Sequence, residues 1–326
     1  MRVLVTGGAG YLGSVVVPVL LSEGHQVRVV DSLLYGGHSL LDLYHEDNFG
    51  FVEGDIRSME LVERALDGIE AVVHLAAIVG DPACARQPTL AREVNFDASL
   101  QLFDLSRSHG VKRFVFASSC SNYGKMMGPS DYLTEDAELR PMSLYAETKV
   151  AVERVLLNTS NAPADNKPAV TVLRFATLFG LSPRIRFDLT VNEFIVELMT
   201  RRKLAVFGGQ FWRPYIHVKD AARAIALVLD AEIEKVASHV FNAGDTDQNY
   251  QKKQLVELIR AQVGNNVEIE RVHRDEDPRD YRVSFEKIKK QLGFYITRTV
   301  ADGIREIIDA VNQGVIVNFE DPRHRN

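Results

Sequence analysis

The chain has 326 residues, 46% hydrophobic and 25% charged, with a net charge of −6 at pH 7, which excludes a disordered chain. No run approaches the ~18 apolar residues of a membrane span, and the acidic excess argues against sequence-independent nucleic-acid binding, which rests on Lys and Arg at phosphates. Two cysteines, Cys84 and Cys120, form neither a disulfide framework nor a paired zinc site, so a reduced, cytoplasmic, soluble protein without metal is expected.

The first predicted element is an apolar strand, RVLVT (2–6), followed by Gly7, Gly8, Gly10 and Gly13 and a helical pattern over 14–24. Both Gly8-x-Gly10-x-x-Gly13 and Gly7-x-x-Gly10-x-x-Gly13 suit a turn whose backbone N–H groups approach a pyrophosphate at a helix N-terminus, with Tyr11 and Leu12 inside it. The second strand, VRVVD (27–31), ends in Asp31, followed by Ser32. A carboxylate there accepts hydrogen bonds from an adenosine ribose and repels a 2′-phosphate, so NAD is expected rather than NADP. The third strand, FVEGD (51–55), ends in Asp55, placed either to meet the adenine edge or to cap the helical pattern at 58–68; Ile56 follows it.

A fourth strand over 71–77 and a helical pattern over 95–110 lead to RFVFAS (113–118), whose apolar run ends in Ser118, Ser119, Cys120 and Ser121. One of these hydroxyls is a candidate to hold a substrate oxygen. The helical stretch 143–156 then carries Tyr145 and Lys149 on one face. A free tyrosine titrates near ~10, and a lysine ammonium together with a positively charged nicotinamide favours its phenolate. Such a tyrosine serves as general base towards a substrate hydroxyl. A polar stretch over 158–169 reads as a surface loop, with further strands at 170–175 and 239–244.

Apolar strands separated by helices predict an α/β, Rossmann-like doubly wound parallel sheet. After about residue 180 the rhythm changes, with helical patterns over 181–202 and 254–263. The expected division is a nucleotide-binding domain, 1–180 with a return segment at about 212–244, and a smaller α/β substrate lobe from 181–211 and 245–326.

These segments resemble the extended short-chain dehydrogenase/reductases, in the branch of nucleotide-sugar epimerases and dehydratases. TGGAGYLG, Asp31, GDIR (54–57), HLAA (74–77), VN (94–95), ASSCSNYG, the Tyr145/Lys149 pair, LRFATLFG (173–180) and WRPYIHVKDAARA (212–224) carry the resemblance over nearly the whole chain. Within the branch it is greatest to the UDP-galactose 4-epimerases. The resemblance implies that Ser119 bonds the reacting oxygen, Tyr145 is the acid/base and Lys149 touches the cofactor ribose and tunes the tyrosine. It implies that Leu75, Ala76, Ala77 and Val79 line the nicotinamide side with Ser118, that Asn95 supports the site from behind, and that Phe175 and Thr177 lie where cofactor meets substrate. Cys120 and Ser121 would face the substrate, and Asn192, Arg213 and Arg274 would hold the sugar nucleotide's phosphates and base, with ordinary salt bridging the alternative for the two arginines.

Departures narrow the reading. The 4,6-dehydratases carry an Asp-Glu pair where Cys120 and Ser121 stand, so dehydration is not expected; the 4-epimerases carry Asn at Thr177. Asp81 either touches a substrate hydroxyl or caps the helix after Pro82, and Cys120 is either a reactive thiol or a buried filler. The implied activity is NAD-dependent epimerisation of a nucleotide sugar through a keto intermediate at C4. A net reductase or dehydrogenase of a keto nucleotide sugar or another secondary alcohol is the alternative; a dinucleotide-sensing regulator is disfavoured because Tyr145 and Lys149 are both present. A homodimer is implied through the helices around 95–108 and 145–158, where Phe96, Leu100, Phe103 and Leu105 form an apolar stripe that would otherwise simply cover the sheet.

Overall fold

Alternation along the strands decides the architecture. In the computed structural model, which describes residues 1–126, 132–161, 167–264, 266–273 and 280–326, the strands are β1 (Arg2–Thr6), β2 (Gln26–Asp31), β3 (Phe49–Glu53), β4 (Ala71–His74), β5 (Arg113–Ser119), β6 (Ala169–Phe175), β7 (Thr177–Phe179), β8 (Lys203–Phe207), β9 (Trp212–His217), β10 (His239–Ala243), β11 (Asn249–Gln251) and β12 (Glu268–Val272). Seven form one sheet in the order β10-β6-β5-β4-β1-β2-β3, every pair parallel. Val3, Val5, Val29 and Val73 point to one face and Leu4, Val30 and Val72 to the other. The first face is covered by Gly13–Ser22 and Val218–Asp230, the second by Met59–Leu66, Ala98–Ser108 and Leu144–Asn161. Each fully buried valine or leucine contributes roughly 1.5–3 kcal/mol, so a sheet apolar on both faces is stable only between two helical layers.

The strand order reverses between β1 and β4, which opens a crevice beyond their C-terminal ends, where doubly wound sheets bind ligands. The rest of the chain makes a three-stranded sheet, β11-β9-β7, and a parallel pair, β12-β8, over a separate core of Phe179, Ile195, Leu198, Tyr215, Leu255 and Ile304. The helical pattern over 181–202 is realised only as Thr190–Thr200, because Pro183 removes a backbone donor and 181–189 form an irregular loop that packs back on the glycine turn. The pattern over 95–110 divides into a π-helical turn, Glu93–Asp97, and the helix Ala98–Ser108. Such a turn carries one residue more than an α-turn, and here it presents Asn95 to the loop after β4.

His74, at the end of β4, ties three elements. Its Nδ1 lies 2.7 Å from Thr6 Oγ1 and its Nε2 2.8 Å from Ser99 Oγ, and burial lowers its pKa from 6.5 to about 3. In acid the unfolded chain therefore takes up a proton that the folded one refuses. Stability should fall as pH drops below about 6.5 towards about 3, by up to roughly 1.4 kcal/mol per pH unit from this residue. Urea midpoints at about pH 7 and about pH 5 check this; His74→Gln should flatten the slope.

Candidate active site

The glycine turn is built by close approach. Gly7 has φ +76°, and a Cβ on it would lie 2.7 Å from Ala76 N; one on Gly13 would lie 2.2 Å from Gly7 O. Only a chain without side chains at these points lets the turn before the helix Gly13–Ser22 pack on itself and on the backbone at Leu75 and Ala76, just beyond β4. Beside it Asp31 accepts from Ala9 N and Leu33 N, both at 2.9 Å. Burial raises the Asp31 carboxyl, and those two N–H groups oppose the rise. This cradle, which any Cβ would fill, and a carboxylate fixed at its rim suit a dinucleotide with a free ribose 2′-hydroxyl.

A cavity of about 560 Å³ runs from the turn to Tyr145. Gly7, Gly10, Tyr11, Leu12 and Gly13 line one end, with Asp31 and Ser32. Asp55 and Ile56 lie at its edge, but the Asp55 carboxylate is taken by Arg57, whose backbone N and guanidinium both donate to it and hold its carboxyl below the usual range. Leu75, Ala76, Ala77 and Val79 form the wall after β4, and Phe175 and Thr177 the opposite side. Asn95 does not line the cavity. It is buried and clamps Ile78, accepting from its N at 2.7 Å and donating to its O at 2.9 Å, so it shapes the wall from behind.

Tyr145 and Lys149 share a face of the helix Leu144–Asn161, and both line the cavity. The Lys149 Nζ donates to Ala117 O at 2.8 Å and lies 4.6 Å from the Phe116 ring centroid and 5.9 Å from that of Tyr145. Burial lowers Lys149 to about 8 against the raising influence of Glu153. Burial also pushes the Tyr145 phenol well above its ordinary value; Arg186, not Lys149, is the cation that most opposes this. The lysine thus does not by itself ionise the phenol.

Of the serine cluster, Ser119 and Ser121 present hydroxyls to the cavity 2.8 Å apart, with Ser121 N donating to Ser119 Oγ at 3.1 Å. Ser118 also lines it, but its hydroxyl donates to Glu153 in a buried network with Asn122 and Arg174. Cys120 is a correction: it is 1% exposed, its thiol donates to Arg174 O at 3.2 Å, and burial raises it far above the reactive range. It is the buried filler and touches nothing in the cavity. Asp81 lines the cavity and accepts from Ser143 at 2.7 Å, and no side-chain hydrogen bond caps Asp81–Arg86.

Opposite, Arg213 lines the cavity with its guanidinium 5.4 Å from the Tyr281 ring centroid. Asn192 is a second correction. It is fully buried, accepting from Gly180 N at 3.0 Å and donating to Arg186 O at 2.9 Å, because the loop before its helix needs a backbone clamp. Arg274 lies outside the described residues. Sequence reasoning missed Tyr35, Arg184, Arg186, Leu189 and Asn326, which also line the cavity. The only signal was the pair of arginines in SPRIRFD, which carries no recognisable spacing.

Three comparisons bear on the site. The model of the NAD dependent epimerase/dehydratase family matches residues 3–244. A UDP-glucose 4-epimerase of Corynebacterium glutamicum is 34% identical over 313 residues, 90% of this chain and 90% of that protein. The UDP-glucose 4-epimerase of Thermotoga maritima, solved with UDP-glucose, superposes with a TM-score of 0.84 at 29% identity, over 97% of this chain and 100% of that one. A dTDP-glucose 4,6-dehydratase of Streptomyces venezuelae, solved with NAD bound, gives 0.85 at 27% identity, over 99% of this chain and 100% of that one.

Proposed function

The chain belongs to the NAD-dependent epimerase/dehydratase family, and from that premise we propose that it epimerises a nucleotide sugar at C4 through a keto-sugar intermediate. The observation that carries the proposal is the meeting of Tyr145, Lys149 and Ser119 in the cavity that the glycine turn opens. Bound NAD supplies a hydride acceptor, and then a hydride donor, at the reacting carbon. Tyr145 removes the proton from the sugar hydroxyl and returns it. Because burial holds the phenol neutral, its ionisation is coupled to positive charge entering the cavity. Lys149, anchored on Ala117 O, holds the cofactor ribose and contributes part of that charge. Ser119 donates to the sugar oxygen as it becomes a carbonyl, oriented by Ser121. Arg213, on the cavity wall, holds the substrate diphosphate, for which a guanidinium fork is suited.

Dehydratases are also among the relatives, but the buried Cys120 and the hydroxyl of Ser121 offer no acid to eliminate water. The name of the Corynebacterium relative makes UDP-glucose and UDP-galactose the first pair to assay. The test is incubation with UDP-, GDP-, CDP- and dTDP-sugars. Interconversion of epimers without net change in NAD is expected; stoichiometric oxidation or reduction would establish the oxidoreductase alternative instead.

We read the cofactor part of the chain as 1–180 with the return at about 212–244, supported by β10 closing the large sheet, and the remainder as the substrate part. We place the protein in the cytoplasm, a reading supported by two free cysteines; no helix among the described residues is long and apolar enough to cross a membrane. We also propose a homodimer. Phe103 covers the sheet, as do parts of Phe96, Leu100 and Leu105, while Val155 on the neighbouring helix stays 37% exposed. Sedimentation at micromolar concentration should give twice the chain mass; a monomer would rule the dimer out.

A further inference from the structure

Arg184 is a buried cation that faces the cavity and, among the described residues, forms no ion pair. It is 6% exposed, and its guanidinium lies 4.0 Å from the Tyr35 ring centroid. Its guanidinium donates to Arg325 O across a long 3.4 Å, and among the described residues its buried Nε has no partner. Among the described residues no carboxylate comes within ion-pair distance of it, whereas the neighbouring Arg186 is held by Asp188 at 2.5 Å. Burial, with repulsion from Arg186, pulls Arg184 down to about 10 against the weaker opposing influence of Tyr35, Asp188 and Asp31. A cation withdrawn from water with no carboxylate in direct contact is unfavourable by itself and well suited to an arriving anion.

Its position selects the anion. Ser182, two residues before it, donates to Tyr11 O at 2.7 Å and meets Ser14 Oγ at 2.8 Å, which pins this loop to the glycine turn. Tyr11 returns a bond from its hydroxyl to Gly180 O at 2.8 Å. Tyr35, under the guanidinium, follows Asp31 and Ser32 at the ribose end of the cavity. We propose that Arg184 is a ligand of the NAD pyrophosphate, delivered across the cleft from the loop after β7 and steadied by the face of Tyr35. The inference rests on NAD occupying the glycine turn. That turn offers only backbone dipoles, and Arg184 adds the full charge and the two-pronged donor geometry that a pyrophosphate accepts. Because it spans the cleft, it also closes over the cofactor, which an epimerase must retain between turnovers.

The test compares Arg184→Gln and Arg184→Lys with the unsubstituted protein. Cofactor-stripped protein is titrated calorimetrically with ADP and with adenosine, the NAD retained through purification is quantified, and UDP is titrated into the NAD-loaded form. Arg184→Gln should weaken ADP at least tenfold, leave adenosine and UDP unchanged, and lower the NAD retained. Arg184→Lys, which keeps the charge but loses the fork and the stacking, should fall between. Unchanged ADP affinity in Arg184→Gln overturns the proposal, as does a loss that falls on UDP, which would assign the residue to the substrate diphosphate. Should Arg184→Gln fail to fold, Arg184→Lys decides alone: ADP affinity equal to that of the unsubstituted protein overturns the proposal. Absence of activity with every sugar would sink the epimerase reading and leave this binding result standing.

Discussion

Tyr145→Phe should lower turnover with the sugar substrate by about 10²–10⁴-fold while leaving NAD bound, the range expected when a general acid/base is removed. The substitution deletes one oxygen and keeps the ring, which packs with the sheet-covering cluster of Phe103, Phe114 and Val152, so the fold should survive. The side chain lines the cavity at the foot of the helix Leu144–Asn161. The loss should appear in kcat more than in KM, because proton transfer belongs to the transition state rather than to binding. Single-turnover reduction of bound NAD, followed at the absorbance of NADH, is the direct measurement. A variant that reduces NAD at the original rate would show that another group takes the proton.

Glu153→Gln should have the largest effect on stability, about 3–5 kcal/mol, because it leaves the buried Arg174 cation without its counter-ion. Arg174 donates to Glu153 at 2.8 Å through its terminal nitrogen and at 3.1 Å through Nε, and the side chains are 5% and 1% exposed. The carboxylate also accepts from Ser118 and Asn122, so the same substitution loosens the end of β5 that carries Ser119. Removing both charges together, as Arg174→Met with Glu153→Gln, should recover part of the loss, which a merely steric defect would not. A second readout comes from pH. Glu153 supports the Lys149 ammonium, whose pKa burial already draws down to about 8. With the carboxylate gone that value should drop further. Activity that needs the charged lysine is lost as pH rises through its pKa, so the alkaline limb of the rate profile should move to lower pH. A limb that stays in place would separate Glu153 from Lys149 and confine it to the fold.

Much of this site was legible because its signals are local. A strand, a glycine turn and a helix in succession carry their own geometry, and Asp31 belongs to the second strand's end in any parallel sheet built this way. Tyr145 and Lys149 share a face because they are one helical turn apart. The alternation of Val3, Leu4 and Val5 between two covered faces likewise needs only the period of a strand.

Sequence by itself therefore determined the sheet, the glycine turn and the Tyr145/Lys149 pair on one helix face, since each depends on backbone periodicity over a few neighbouring residues. Tertiary packing decided the rest. Cys120 lies between two cavity-facing serines yet turns to the core, because its thiol meets the Arg174 carbonyl on the adjacent strand. Asn192 became a clamp because the loop it serves, interrupted at Pro183, folds back on Tyr11. Arg184 acquires meaning only beside Tyr35, a residue from the other side of the cleft. Burial and partnership are properties of distant segments brought together, and no local pattern encodes which polar group will lose its water or what will replace it.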